Sequence, residues 1–274
     1  MISKYSSLLY SFILLVVSVI GILNIYLYIQ QPGMIFYPVK EVDVTPKEWE
    51  LEYTALKLKL PDGQNIAAWY LPHPQAEKTV LFFHGNGGNM SHRGDSLYIF
   101  HKLKLNSLII DYPGYGESEG SPSEKNLYDS ADAAWQYLMT EKKTKAEKII
   151  IFGRSLGGAV AADLASRVNA GGLILESTFS SVRDMVSILF PGVSNLIYLR
   201  YSFDTLNKIK KIKSPVLVIH SPGDEVIPFV LGKKVFDSIE SEKEFLQIKG
   251  GHNDGFMQSI SSYMKILRNF SLSI

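Results

Sequence analysis

The 274-residue chain contains no cysteine. That excludes disulfides, a thiol nucleophile and thiolate metal sites, and it leaves the redox compartment open, because reducing and oxidising locations both tolerate a cysteine-free chain. It also has no charge of one sign in excess: 28 basic against 27 acidic residues leave +1. No basic surface for nucleic acid is expected. Internal repeats and low-complexity tracts are absent too, and the charge-rich stretches "EKKTKAEK" (141–148) and "KIKKIK" (208–213) read as solvated helix ends or loops.

Charge is missing locally as well. From Leu8 to Ile29, "LLYSFILLVVSVIGILNIYLYI" carries none, and as a helix it would span about 33 Å, enough for a bilayer's hydrocarbon core. A cleaved signal peptide would have a shorter apolar region of about 7–15 residues and an A-x-A-like site, so the stretch is expected to be a single-pass N-terminal membrane anchor. Tyr26, Tyr28 and Tyr37 suit the membrane interface. Lys4 and the amino terminus favour a cytoplasmic N-terminus and a non-cytoplasmic body, and Lys40 on the far side opposes that vote. "QPG" at 31–33 is expected to end the span. The expected organisation is an anchor over 1–33, a connecting segment over 34–50 and one domain over 51–274, a length that a single α/β domain reaches.

Beyond the anchor the rhythm of the chain carries the fold. "YTALKLKL" (53–60), "PDG" (61–63) and "QNIAAWYL" (64–71) alternate on both arms of a β-hairpin. Six short apolar runs follow, "TVLFF" (79–83), "SLIID" (107–111), "KIIIF" (148–152), "GLILE" (172–176), "PVLVIH" (215–220) and "EFLQI" (244–248), separated by stretches of helical length. Strands buried on both faces read as continuous apolar runs, so the expected class is α/β, a mostly parallel central sheet with helices on both faces. In such sheets ligands bind beyond the carboxyl ends of the strands.

"GRSLG" (153–157), between the run "KIIIF" and a small-residue helix, fits the G-x-S-x-G turn that lifts a serine to the sheet edge. Gly153, Gly157, Gly158 and the alanines beyond let the chain turn tightly, and the helix start offers its free N–H groups and positive dipole end to Ser155. A serine nucleophile needs a base and a group that orients it. His252, in "KGGHNDG" (249–255) just past the last strand, is the candidate base, whereas His73, His92, His101 and His220 read as surface or packing residues. Asp224 in "SPGDEVIP" (221–228) is the candidate acid, with Glu176 at the end of "GLILE" as its rival. The order Ser155, Asp224, His252 is that of an α/β-hydrolase triad. The loop "FFHGNGGN" (82–89) supplies exposed backbone donors: the N–H groups of Asn86 and Leu156 are assigned to an oxyanion hole, with His84, Gly85 and Gly87 as supporting loop residues. "GYGESEG" (114–120) is one residue too long for a dinucleotide loop and "GNGGN" lacks the G-K-[ST] of a phosphate loop, so no nucleotide is implied, and no cofactor or metal is expected.

Taken in order, "HGNGGN", "DYPGYGESEG", "GRSLGG", "LESTFSS", "SPGDEVIP" and "GGHND" resemble the α/β-hydrolase superfamily over roughly residues 50 to 270, and within it the membrane-anchored branch that includes lipid hydrolases and protein depalmitoylases. The resemblance implies a serine hydrolase of carboxylic esters or thioesters acting on a small-molecule or lipid acyl substrate, or on an acylated protein. The alternatives are an amide or peptide hydrolase of the same fold and an inactive membrane scaffold. The insertion between Glu176 and Pro215 is short, and "VSILFPGVSNLIYL" (186–199) is apolar enough for a small cap, an acyl-binding wall or core.

Overall fold

Past residue 79 nearly every strand returns to the sheet through a helix, the connection that parallel strands require. The computed structural model describes residues 2–274, the side chains of residues 2–4 and 6 excepted, so Lys4, on which the expected orientation partly rests, lies outside the described side chains. Helix α1 (Ile2–Ile35) leads into a two-residue strand β1 (Tyr37–Pro38) and then into the hairpin of β2 (Thr54–Lys59) and β3 (Asn65–Leu71). Next come β4 (Thr79–Phe83), the short β5 (Gly87–Gly88), α2 (Gly94–Lys102), β6 (Asn106–Ile110), α3 (Glu124–Thr140), β7 (Ile149–Arg154) and α4 (Leu156–Ala165). The chain closes with β8 (Gly172–Glu176), α5 (Val182–Leu189), α6 (Thr205–Ile209), β9 (Val216–His220), α7 (Phe229–Asp237), β10 (Lys243–Gln247), α8 (Gly255–Gln258) and α9 (Ile260–Ser273).

The eight-stranded sheet has the order β10-β9-β8-β7-β4-β6-β3-β2. From β10 to β6 the strands run parallel, and the hairpin adds two antiparallel strands at the β6 edge. Side chains alternate across it, as the two-residue period of a strand demands. Leu81, Ile151, Leu173 and Val218 face one core with α3, α4 and α7, while Phe82, Phe152, Ile174 and Ile219 face a second core with α2 and α9. Both faces are covered, which is why the strands read as unbroken apolar runs.

Helix α1 contains the one stretch among the described residues, Ser7–Ile35, that is long and apolar enough to cross a membrane. It runs past the expected stop at 31–33, through Pro32, to Ile35. Proline removes its own donor and crowds the carbonyl four residues back, but its fixed φ is compatible with a helix, and the last turn closes because Phe36 N donates to Pro32 O at 2.9 Å. The segment 34–50 is not a free linker. Phe36 is buried against Tyr201 and Phe203, β1 pairs with β5 in parallel, and the Asn89 side-chain amide donates to Val39 O at 3.1 Å and Glu41 O at 2.6 Å.

Ile151 lies at the centre of β7, in register with Leu81 on one side and Leu173 on the other, and is fully buried. Ile151→Ala is expected to cost about 2–5 kcal/mol through lost transfer energy and the cavity left behind. Thermal unfolding of the full chain should read this as a fall of about 2–4 °C per kcal/mol; an unchanged Tm would show that β7 is not the packing centre described.

Candidate active site

The turn from β7 into α4 holds Ser155 at φ 54° and ψ −120°. A non-glycine residue in that region is strained by on the order of 1–3 kcal/mol and persists only where its surroundings enforce it. Here the enforcing contacts are close backbone approaches. A Cβ on Gly153 would lie 2.3 Å from Gly157 O, one on Gly157 would lie 2.1 Å from Phe83 O, and one on Gly158 would meet Thr178 Oγ1 at 2.3 Å. The turn is tied across the sheet as well: Ser155 N donates to Glu176 O at 2.8 Å, and Thr178 Oγ1 donates to Ser155 O at 2.9 Å. Ser155, 6% exposed, stands at the N-terminus of α4.

Two loops at neighbouring strand ends bring the other two candidates to it. His252 Nε2 lies 3.0 Å from Ser155 Oγ, and His252 Nδ1 lies 2.8 Å from Asp224 Oδ2. A carboxylate only accepts, so the proton sits on Nδ1 and leaves the Nε2 lone pair toward the hydroxyl. Asp224 Oδ1 accepts from Val226 N at 3.0 Å and Ile227 N at 2.7 Å. Burial pushes the Asp224 carboxyl up, but the imidazoles of His220 and His252 and the Ile227 N–H outweigh it and hold the group well below the usual carboxylate range. The His252 loop is itself pinned, since His252 N donates to Glu225 Oε2 at 3.0 Å and Gly251 N to Asp254 Oδ1 at 2.7 Å.

The "HGNGGN" loop passes over the serine: a Cβ on Gly85 would lie 3.4 Å from Ser155 Cβ. Asn86 is held by its carbonyl, which accepts from Tyr37 N at 3.0 Å and Tyr115 Oη at 2.7 Å, and by its side-chain amide, which donates to Ile35 O at 3.0 Å. The backbone N–H groups of Asn86 and Leu156 have no acceptor among the described residues. His84 is fully buried, with Nε2 3.2 Å from Asp111 Oδ1 and its carbonyl accepting from Tyr112 Oη at 3.0 Å, and so braces the loop. Gly87 belongs to β5, and its carbonyl accepts from the Arg93 guanidinium.

Comparison with known proteins places the fold in a family. The family model described as "Serine aminopeptidase, S33" matches residues 74–201. "Protein bem46" of Schizosaccharomyces pombe is 35% identical over 240 residues, 80% of this chain and 79% of its own. "Alpha/beta hydrolase domain-containing protein 17B" of Homo sapiens is 37% identical over 212 residues, 76% of this chain and 71% of its own. The chain belongs to the α/β-hydrolase family. Among solved structures, the Pyrococcus furiosus esterase Pf2001 shares the fold with a TM-score of 0.71 at 19% identity, over 85% of this chain and 97% of its own.

Three residues of this α/β-hydrolase site escape a reading of the sequence. His220, at the end of β9, is fully buried with Nε2 3.0 Å from Ile227 O and 3.3 Å from Asp224 Oδ2, the oxygen that His252 also approaches, so it steadies the carboxylate. Its place at the carboxyl end of a parallel strand was the available signal. Tyr112 and Tyr115 are the others. The "DYPGYG" motif had no assigned task, and it turns out to hold the carbonyls of His84 and Asn86.

Glu176, the rival acid, is engaged elsewhere. Its carboxylate pairs with Arg154, Nε to Oε1 at 2.8 Å and Nη2 to Oε2 at 3.2 Å, and accepts from Tyr263 Oη at 2.6 Å. Burial disfavours the Arg154 cation, but Glu176 and Tyr263 together outweigh it and raise the guanidinium. A buried pair broken from one side leaves an uncompensated charge worth about 3–5 kcal/mol. Glu176→Gln is therefore expected to lower Tm markedly while folded enzyme at lower temperature retains its hydrolytic kcat. A stable variant with abolished kcat would move Glu176 into the reaction.

Proposed function

We propose that the protein hydrolyses carboxylic esters or thioesters through an acyl-enzyme, with Ser155 as nucleophile, His252 as general base and Asp224 as the acid that orients it. The observation that carries this reading is the unbroken relay from Ser155 Oγ through His252 to Asp224, at 3.0 and 2.8 Å, ending on a serine held in a strained turn at a helix N-terminus. Ser155 Oγ attacks the acyl carbonyl as its proton passes to His252 Nε2. The resulting imidazolium protonates the departing alcohol or thiol. Water, deprotonated by the same nitrogen, then releases the acid and restores the serine. The oxyanion formed in each half is assigned to the N–H groups of Asn86 and Leu156, each such donor being worth about 10²–10³ in rate. The esterase likeness of the fold supports the same reading.

An amide hydrolase would use the same relay, and the matched family model is described as an aminopeptidase. A free substrate amine calls for an unpaired carboxylate near the acyl site. The only acid in 182–199 is Asp184, and Lys234 at 2.8 Å and the Ser180 hydroxyl already occupy it. That segment therefore offers no unpaired carboxylate to a substrate amine. An inactive scaffold would need neither the strained serine nor the open donors. We further propose that α1 anchors the chain in a membrane, which brings it to lipid or lipidated acyl substrates.

Ser155→Ala should abolish hydrolysis of p-nitrophenyl esters and labelling by a fluorophosphonate with Tm unchanged, and Asp224→Asn should lower kcat by about 10⁴, because the amide favours the wrong imidazole tautomer. Turnover by Ser155→Ala comparable to that of the parent would end the serine-hydrolase reading. In cell membranes the full chain should resist extraction by high salt and by alkaline carbonate. Release into the carbonate supernatant, or a mature N-terminus beyond Ile20, would show that α1 is not an anchor.

A further inference from the structure

Within the apolar helix α1 the side-chain amides of Asn24 and Gln31 lie seven positions apart, on one face. Both are used to grip the chain after α5. Asn24 Nδ2 donates to Leu196 O at 2.9 Å while its Oδ1 accepts from Tyr198 N at 2.6 Å. Gln31 Nε2 donates to Tyr198 O at 2.9 Å while its Oε1 accepts from Arg200 N at 2.7 Å. The two amides satisfy backbone groups of 196–200 as a neighbouring strand would. A tilted contact of Tyr28 with Tyr198, ring centroids 5.7 Å apart, completes the clamp. The anchor is thus fixed to the body rather than tethered to it.

The clamp holds the two walls apart instead of letting them collapse. Between them lies a cleft of about 390 Å³, lined by Leu23, Leu27 and Met34 from α1 and by Val186, Phe190 and Leu196 from the opposite wall, within the range of about 300–1,000 Å³ typical of small-molecule sites. Its lining is almost wholly apolar, and its two amides are already engaged. The outer edge is apolar too: Leu189 and Tyr198 are 61% and 68% exposed, and Phe190, Val193 and Leu196 are exposed beside them. No residue of α5 is buried. A patch of this kind continuous with a membrane-length helix belongs against hydrocarbon.

Both walls run into chain segments that are hydrogen-bonded to residues of the proposed site. Met34 precedes Ile35, whose carbonyl holds the Asn86 side chain. The other wall departs from Thr178, whose hydroxyl holds Ser155 O, through Ser181, which caps α5 by accepting from Asp184 N at 3.0 Å.

We propose that this cleft receives the acyl chain of a membrane-embedded substrate, entering sideways from the bilayer, so that the anchor helix is itself one wall of the substrate site and sets its chain-length preference. The assignment rests on the ester or thioester hydrolase reading above. Bulky residues from either wall would fill the cleft without touching the relay, and Ile22, exposed on α1 outside the cleft, provides a control.

The full chain in phosphatidylcholine vesicles should be assayed on p-nitrophenyl palmitate and p-nitrophenyl butyrate. Leu27→Trp and Val193→Trp are each expected to lower the palmitate-to-butyrate ratio of kcat/KM by about tenfold, the scale set by apolar-pocket discrimination, while Ile22→Trp leaves the ratio unchanged. A ratio unmoved in both filling variants, or moved equally by Ile22→Trp, overturns the proposal. Should the parent hydrolyse neither ester, the function reading fails and the cleft is judged on binding: a diazirine-bearing palmitic acid, photolysed with the Ser155→Ala chain in the same vesicles, should label Phe190 and Leu196. Leu27→Trp should suppress those adducts and spare those on Ile22. Adducts that persist at Phe190 and Leu196 would identify ordinary bilayer lipid as their source and remove the acyl site; their loss would keep it even without ester turnover.

Discussion

A strained serine is the constraint from which the rest of the site follows. At φ 54° and ψ −120°, Ser155 is unstable in isolation, and it is enforced by β4, β7, β8 and α4 approaching closer than any side chain would allow. The two closest approaches, Gly153 onto Gly157 O and Gly157 onto Phe83 O, have no room for a methyl group. The small residues of α4 follow from that requirement, and so does the full burial of the helix. Because β7 sits between β4 and β8, the loops after β4 and β8 arrive beside the serine, and the loops after β9 and β10 lie within reach of an imidazole.

The loop after β4 depends on a second set of ties that run in the opposite direction, toward α1. Asn86 is held by Tyr115 from the loop after β6, and by Ile35 and Tyr37 at the junction of α1 and β1. The β1–β5 pairing fixes Gly87 and Gly88 to the same junction. Displacing the end of α1 would therefore displace the carbonyl of Asn86, and with it the orientation of its N–H. Helix α1, the loop after β4 and the serine turn are thus linked through hydrogen bonds of the sheet and its loops.

Much of this was legible in the sequence, and what was not has a physical reason. Strands β4 and β8 stand where the apolar runs 79–83 and 172–176 put them, and the other parallel strands lie within two residues of theirs; in the inner strands burial on both faces leaves little polar interruption to blur the signal, whereas the edge strand β10 is partly exposed and carries Glu244 and Gln247. Ser155 and its flanking glycines announce a local geometry, which needs no distant partner to be read. The tasks of Tyr112, Tyr115 and His220 depend on partners brought in by the sheet order, and a buried histidine at a strand end looks the same whether it packs or holds a carboxylate. Pro32 reads as a stop, yet α1 passes through it, since only one donor is lost and Gln31 gains two partners roughly 170 residues away. Asn24 likewise reads as a tolerated polar residue in an apolar run until Leu196 and Tyr198 are seen beside it.

The two carboxylates at adjacent strand ends show how environment, rather than position, divides roles in the proposed reaction. Glu176 and Asp224 both stand at or just past the end of a parallel strand, and both are buried. Glu176 faces a guanidinium, and its negative charge is compensated within the ground state. It has little left to offer a cation that forms transiently during attack. Asp224 faces two imidazoles and backbone N–H groups, and no lysine or arginine pairs with it. Its charge is stabilised by hydrogen bonds but not cancelled, so it remains ionised and available when His252 takes the serine proton. A carboxylate kept charged without a permanent counter-ion is what stabilises an imidazolium, and of the two only Asp224 meets that condition.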